Sequence, residues 1–203
     1  VEILKSLAKA ADVLVENYRP DVKSRLGIDY ESLRAVNPRL VYASISAYGE
    51  TGPYRNRPGF DHIAQGMGGL MWVTGAPDQG PMRAGISIAD LSAGIFAAMG
   101  VLLALLEREK SGEGQWVQTS LLASQVHLLD YQAMRWLMDK EIPLQQGNDH
   151  PVIIPTGVYR SSDGYFSIAT VGNESYARFC RAIGSGQLAT DPQFATPQLR
   201  YRN

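Results

Sequence analysis

Asp90 is the residue on which chemistry could turn. It follows Gly85-Ile86-Ser87-Ile88-Ala89, a short strand-like approach, and immediately precedes an apolar helical pattern over 91–110. Aspartate is among the best helix N-caps, and replacing one costs about 1 kcal/mol. The same placement suits a nucleophile. A helix N-terminus favours the ionised carboxylate, and free amides there could bind a developing oxyanion. A carboxylate held beside an activated acyl group is a competent covalent nucleophile. On the residues alone, cap and nucleophile both stand.

A second candidate is Glu16-Asn17-Tyr18-Arg19-Pro20, at the C-terminal end of the apolar run Val13-Leu14-Val15, with Arg25 one helical step further on. Ligands of open α/β sheets bind at that edge of the strands. Asn17 offers a donor and an acceptor, Tyr18 a flat face, and Arg19 a fork for phosphate. An ordinary strand-to-helix connection would use the same residues. Gly66-Met67-Gly68-Gly69 is no dinucleotide loop, because Met71 stands where the third glycine belongs. His62, His127 and His150 are scattered and make no metal site. His127 reads as a packed helix residue and His150 as part of a polar loop, while Trp72, Trp116 and Trp136 read as core.

These groups need elements to hold them. Helical patterns are expected over 1–10, 21–26 (stopped by Gly27) and 29–35 (capped by Asp29), and again over 60–65. Strands are expected at 13–15, 40–46, 70–74 and 115–119. In the helix over 91–110, Leu91, Ile95, Met99, Leu102 and Leu106 recur every three or four residues, and small apolar residues fill the other faces. The pattern predicts burial nearly all round, with Glu107-Arg108-Glu109-Lys110 returning the chain to the surface. A second long helix is expected over 121–138. Beyond it come a loop, a hairpin of 158–160 with 165–170, and a helix capped by Asn173 and stopped by Gly184. The fold class is therefore α/β, a Rossmann-like large domain that is incomplete, with a smaller α+β domain. The expected division is 1–125, a linker helix and loop over 126–150, and 151–203.

Of the 203 residues, 45% are hydrophobic and 19% charged, with a net charge of −1 and no long run of either sign. A basic footprint for nucleic acid is missing, and no membrane partner is expected. No apolar run is read as approaching the ~18 residues of a membrane span. The lone Cys180 has no partner for a disulfide within the chain, which fits a reducing, cytoplasmic setting. The sequence opens inside a helical pattern and stops without a closing element, so it reads as a piece of a longer protein.

The ordered set Glu16-Asn17-Tyr18-Arg19-Pro20, Tyr48-Gly49-Glu50-Thr51-Gly52-Pro53, Gly59-Phe60-Asp61, Gly68-Gly69-Leu70-Met71, Ala89-Asp90 and 107–115 resembles the class III CoA-transferases. That superfamily includes the formyl-CoA and carnitine CoA-transferases and the α-methylacyl-CoA racemases. The resemblance spans residues 10–203. It implies that Asp90 is the catalytic aspartate, passing through aspartyl-acyl anhydride and aspartyl-CoA thioester intermediates. It also implies that Asn17, Tyr18, Arg19, Arg25 and Asp61 contact coenzyme A. It further implies no tightly bound cofactor, acyl-CoA and a small carboxylic acid as substrates, and interlocked homodimers of the full-length chain.

Two departures narrow this. The racemases carry histidine in a Gly-His-Asp triplet for proton transfer, and Phe60 stands there. A phenyl ring moves no proton, so the alternative of an acyl-CoA racemase or epimerase is disfavoured. The glycine-rich loop of formyl-CoA transferase has no counterpart in 147–157, which speaks against an oxalate-type acceptor. A catalytically inactive CoA-binding fragment is the third reading.

Overall fold

The apolar runs of the first 120 residues become a parallel sheet because helices lie between them. The structure is a computed structural model and describes residues 1–203. Strands β1 (Val13–Glu16), β2 (Val41–Ser46) and β3 (Trp116–Ser120) lie in the order β1-β2-β3, all parallel, with Val13 opposite Val41 and Tyr42 opposite Trp116. Parallel neighbours need long crossovers. Helices α2 (Pro20–Leu26) and α3 (Tyr30–Arg34) supply the first, after α1 (Glu2–Ala8). The second is made by α4 (Asp61–Met67), α5 (Leu70–Val73) and α6 (Ile88–Ser111). Gly27, at φ 63°, ends α2, and the Asp29 carboxylate caps α3 by accepting from Ser32 N at 3.1 Å.

Strand β2 is covered on both faces, as a central parallel strand should be. Its alternate residues divide between two cores. Leu40 and Tyr42 pack with Ala8, Ile28 and Leu33. Ile45 packs against a second cluster of Ala64, Ala89, Ala93 and Leu121.

Helix α6 corrects the expectation of all-round burial. Its covered stripe is small: Ala89, Ala93, Ala97 and Ala104 are buried, and Gly100 lies on the same face. A Cβ at Gly100 would stand 2.6 Å from Val117 Cγ1, so the close approach to β3 requires glycine there. The large residues that gave the periodic signal, among them Leu91, Ile95, Met99, Leu102 and Leu106, are each more than half exposed. Arg108, expected at the surface, is buried instead. Its guanidinium donates to Asp12 Oδ1 at 2.8 Å and to Arg39 O at 2.9 Å, tying the end of α6 to the starts of β1 and β2. Contrary to the sequence reading, α6 is long and apolar enough by length and composition to cross a membrane. Within this chain it packs on β2, β3 and α4.

Other expectations fail for local reasons. The 70–74 run is the helix α5, since a short apolar stretch has no period of its own to separate strand from helix. The helix over 121–138 is two, α7 (Leu121–His127) and α8 (Tyr131–Asp139), broken where Asp130 takes φ 50°. Trp72 and Trp136 are about half exposed; only Trp116 packs against a core. His127 is exposed and meets Phe96 edge-on.

The chain divides into two units. One comprises Val1–Val73 with Pro81–Pro143, and the other Thr74–Gly80 with Leu144–Asn203. The second has its own antiparallel hairpin, β4 (Thr156–Arg160) with β5 (Tyr165–Ala169), followed by α9 (Gly172–Ala182) and α10 (Pro197–Arg202). Asn173 does not cap α9; its side-chain oxygen accepts from Arg200 Nη2 at 2.6 Å. His150 organises the loop before β4, its Nδ1 accepting from Val152 N and Ile153 N.

Candidate active site

The surroundings of Asp90 are built by α4. Phe60 enters in extended backbone, which makes Asp61 the first residue of the helix and turns it toward the start of α6. The buried Asp61 carboxylate accepts from Ala89 N at 2.8 Å and Asp90 N at 3.4 Å through Oδ1, and from Gln65 Nε2 at 2.6 Å through Oδ2. Asp61 therefore supplies the cap of α6 from another helix. Asp90 is not the N-cap. Ser87 holds that position, and Asp90 lies inside the first turn.

That arrangement also removes the expected oxyanion site. Ile88 N is bonded to Ile86 O, Ala89 N and Asp90 N to Asp61, and Leu91 N to Ser87 O. No amide of the first turn is left to receive an oxyanion. The Asp90 side chain is exposed, and its carboxylate has no hydrogen-bond or ion-pair partner in the chain. Its pKa is raised above the ordinary carboxylate value, first by partial withdrawal from water and second by the neighbouring Asp61 charge. A free carboxylate of raised basicity on a fixed helix start can act as a nucleophile or a proton acceptor.

The segment after β1 is held differently. Glu16 is buried, takes Tyr18 N on Oε2 at 2.8 Å, and pairs through Oε1 with Lys23 Nζ at 2.8 Å. Lys23 also pairs with Glu50 at 2.7 Å and donates to Ser44 Oγ at 2.9 Å, with the rings of Tyr42 and Trp116 beside it. All three ionic side chains are at most 4% exposed. Asn17 and Tyr18 line a cavity of about 210 Å³ with Leu14, Ile28 and Tyr42. Arg19 is exposed at the N-cap of α2, where it meets Asp21 and the Asn56 carbonyl. Arg25 is exposed in the last turn of the same helix. No hydrogen bond or ion pair links Asn17, Tyr18, Arg19 or Arg25 to Asp90; of the site residues anticipated, only Asp61 and Asp90 are joined.

Lys23, Glu50 and Gln65 were not anticipated. Glu50 lies inside one of the motifs carrying the resemblance, and Gln65 stands at i+4 from Asp61, which were the available signals. Nothing in sequence distinguishes a buried Lys23 from a surface one.

A parallel sheet with helical crossovers defines an incomplete Rossmann-like α/β domain, with an unpaired carboxylate in the first turn of its longest helix. Comparison with known proteins is more specific: a family model described as CoA-transferase family III matches residues 1–203, and the chain belongs to that family. It is 40% identical over 198 residues to a succinate–glutarate CoA-transferase of Agrobacterium fabrum, covering 98% of this chain and 50% of that protein. An acetyl-CoA:oxalate CoA-transferase of Acetobacter aceti is 39% identical over 202 residues, 99% of this chain and 52% of its own length. A crystal structure of a CAIB/BAIF family protein from Brucella suis matches all of this chain and 53% of its own, with TM-score 0.83 and 39% identity. The chain thus spans about half the length of the relatives it matches.

Proposed function

We propose that this chain is part of an enzyme that moves coenzyme A from an acyl-CoA to a carboxylic acid, with Asp90 as the acyl acceptor. The observation that carries the reading is the Asp90 carboxylate: unpaired, exposed, and fixed on a helix start whose amides are already bonded. Asp90 attacks the thioester carbonyl, the C–S bond breaks, and CoA leaves as thiolate from an aspartyl-acyl anhydride. The thiolate returns to the aspartyl carbonyl and releases the first acid. The acceptor carboxylate then attacks the aspartyl-CoA thioester, and the thiolate takes the acyl group of the new anhydride, restoring Asp90. Thioester energy passes between acids without loss to water, and no base is needed beyond the carboxylate itself.

The relatives lend support to one class of acceptor. Those compared act, by name, on succinate and glutarate or on oxalate, which supports a small dicarboxylic acid here, with the C4–C5 acids tested before oxalate. Coenzyme A would meet Asn17, Tyr18, Arg19 and Arg25, the two arginines being exposed, one at the N-cap and one in the last turn of the short helix α2. The exposed apolar stripe of α6 supports the homodimer that the resemblance implies. The test is the full-length Asp90→Asn protein in a CoA-exchange assay with succinyl-CoA and glutarate. Loss of at least ~10³-fold in kcat is expected, because the acyl-accepting oxygen is removed. Exchange near the wild-type rate, with the side chain verified as asparagine, would refute the role.

A further inference from the structure

Gln65 takes no part in that reaction, yet it is 0% exposed and among the largest fully buried side chains. Its amide is fully engaged. Nε2 donates to Asp61 Oδ2 at 2.6 Å and to Ile86 O at 3.2 Å, and Oε1 accepts from Ala84 N at 2.9 Å. A glutamine offers two N–H groups and one carbonyl, so this set uses both donors and the acceptor.

What it holds is the approach to Asp90. Residues 81–87 belong to no helix or strand, so their backbone groups lack the partners a regular element would give. One side chain takes Ala84 N and Ile86 O in their place. The same amide orients Asp61, whose other oxygen holds Ala89 N and Asp90 N. A continuous run of hydrogen bonds therefore leads from Ala84 through Gln65 and Asp61 to the backbone of Asp90. No hydrogen bond restrains the Asp90 carboxylate itself, so what the network fixes is the backbone position from which that side chain projects.

We infer that Gln65 is a positioning residue, which places the backbone that carries Asp90 by pinning residues 84–86 and by fixing the Asp61 side chain that caps α6. This rests on Asp90 being the acyl acceptor. Gln65 touches no reacting atom and acts through Asp61 and the backbone. A displacement of about 1 Å at a reacting group can cost up to ~10²-fold in rate, so the effect belongs in kcat.

Two variants of the full-length protein test this. Gln65→Leu keeps the approximate volume and removes all three bonds. Gln65→Glu keeps the shape and the acceptor for Ala84 N, but sets a second carboxylate against Asp61. Gln65→Leu is expected to lower kcat by roughly 10- to 100-fold with KM for succinyl-CoA within about twofold. Amide exchange at Ala84 and Ala89, followed by mass spectrometry, should quicken. Gln65→Glu should recover part of its rate relative to wild type as pH falls, because a proton shared by the two carboxylates restores a donor to Asp61. A purely structural glutamine would give no such pH-dependent rescue. Unchanged kcat in both variants, or a rise in KM at constant kcat, overturns the inference while an inactive Asp90→Asn protein leaves the nucleophile standing. An active Asp90→Asn protein overturns the nucleophile reading and the catalytic consequence for Gln65 together.

Discussion

Two carboxylate pairs sit in the same domain and are treated in opposite ways. Glu16 and Glu50 converge on Lys23, whose ammonium also bonds Ser44, and all three side chains are shut away from water. Asp61 and Asp90 have no cation between them; Asp61 spends its oxygens on amides and Gln65, and Asp90 is left free. Charges removed from water must be paired, so the first group fastens the ends of β1 and β2 to α2. The second keeps one carboxylate unneutralised at a place where the backbone amides are all hydrogen-bonded. The contrast separates a cluster that holds the fold from one that, in the proposed function, carries the reactive group.

Removing Lys23 should give the largest stability effect. Lys23→Met leaves two buried carboxylates facing each other, and breaking such a cluster costs about 3–5 kcal/mol. Urea denaturation of the full-length protein should show that loss as a lower midpoint at unchanged slope. A loss below about 1 kcal/mol would mean that water reaches the site and that the two pairs are less different than described.

Asp61→Asn should act on ionisation instead. Asparagine can still accept from Ala89 N, but the charge that raises the Asp90 pKa is gone. The larger cause, burial, remains. The acidic limb of kcat/KM should therefore move partway to lower pH, because Asp90 then loses its proton more easily. A limb that moved to higher pH, or did not move, would place the controlling group elsewhere.

The smallest effect is expected from Asp90→Asn on stability. A group whose pKa is raised on folding contributes stability below its unfolded pKa and loses it as pH rises through the folded value. Ionised Asp90 therefore does nothing to favour the folded state at neutral pH. Since it is not the N-cap, the substitution should leave stability within about 0.5 kcal/mol of wild type or raise it slightly. The same variant that abolishes transfer should fold normally.

The sequence made the parallel sheet legible because β1, β2 and β3 are apolar runs bounded by helical patterns and turn residues such as Gly27 and Asn37-Pro38. It misled at α6. Leu91, Ile95 and Met99 dominate any hydrophobic period, but a helix lying closely on a sheet needs the small residues Ala93, Ala97, Gly100 and Ala104 on the inner face. At the site, the position of Asp90 near a helix start was readable, while its cap was not. That cap comes from Asp61, 29 residues before Asp90, and hydrogen bonds across such separations leave no local pattern. The same holds for Lys23, whose burial depends on Glu50 from another strand's end.

The most direct measurement is the intact mass of the full-length protein after incubation with succinyl-CoA alone, quenched in acid and mapped by peptide. The account predicts a succinyl or CoA adduct confined to the peptide carrying Asp90, lost on adding glutarate and absent from Asp90→Asn. An adduct on any other residue, or transfer at full rate with the Asp90 peptide unmodified at every quench time, would contradict it.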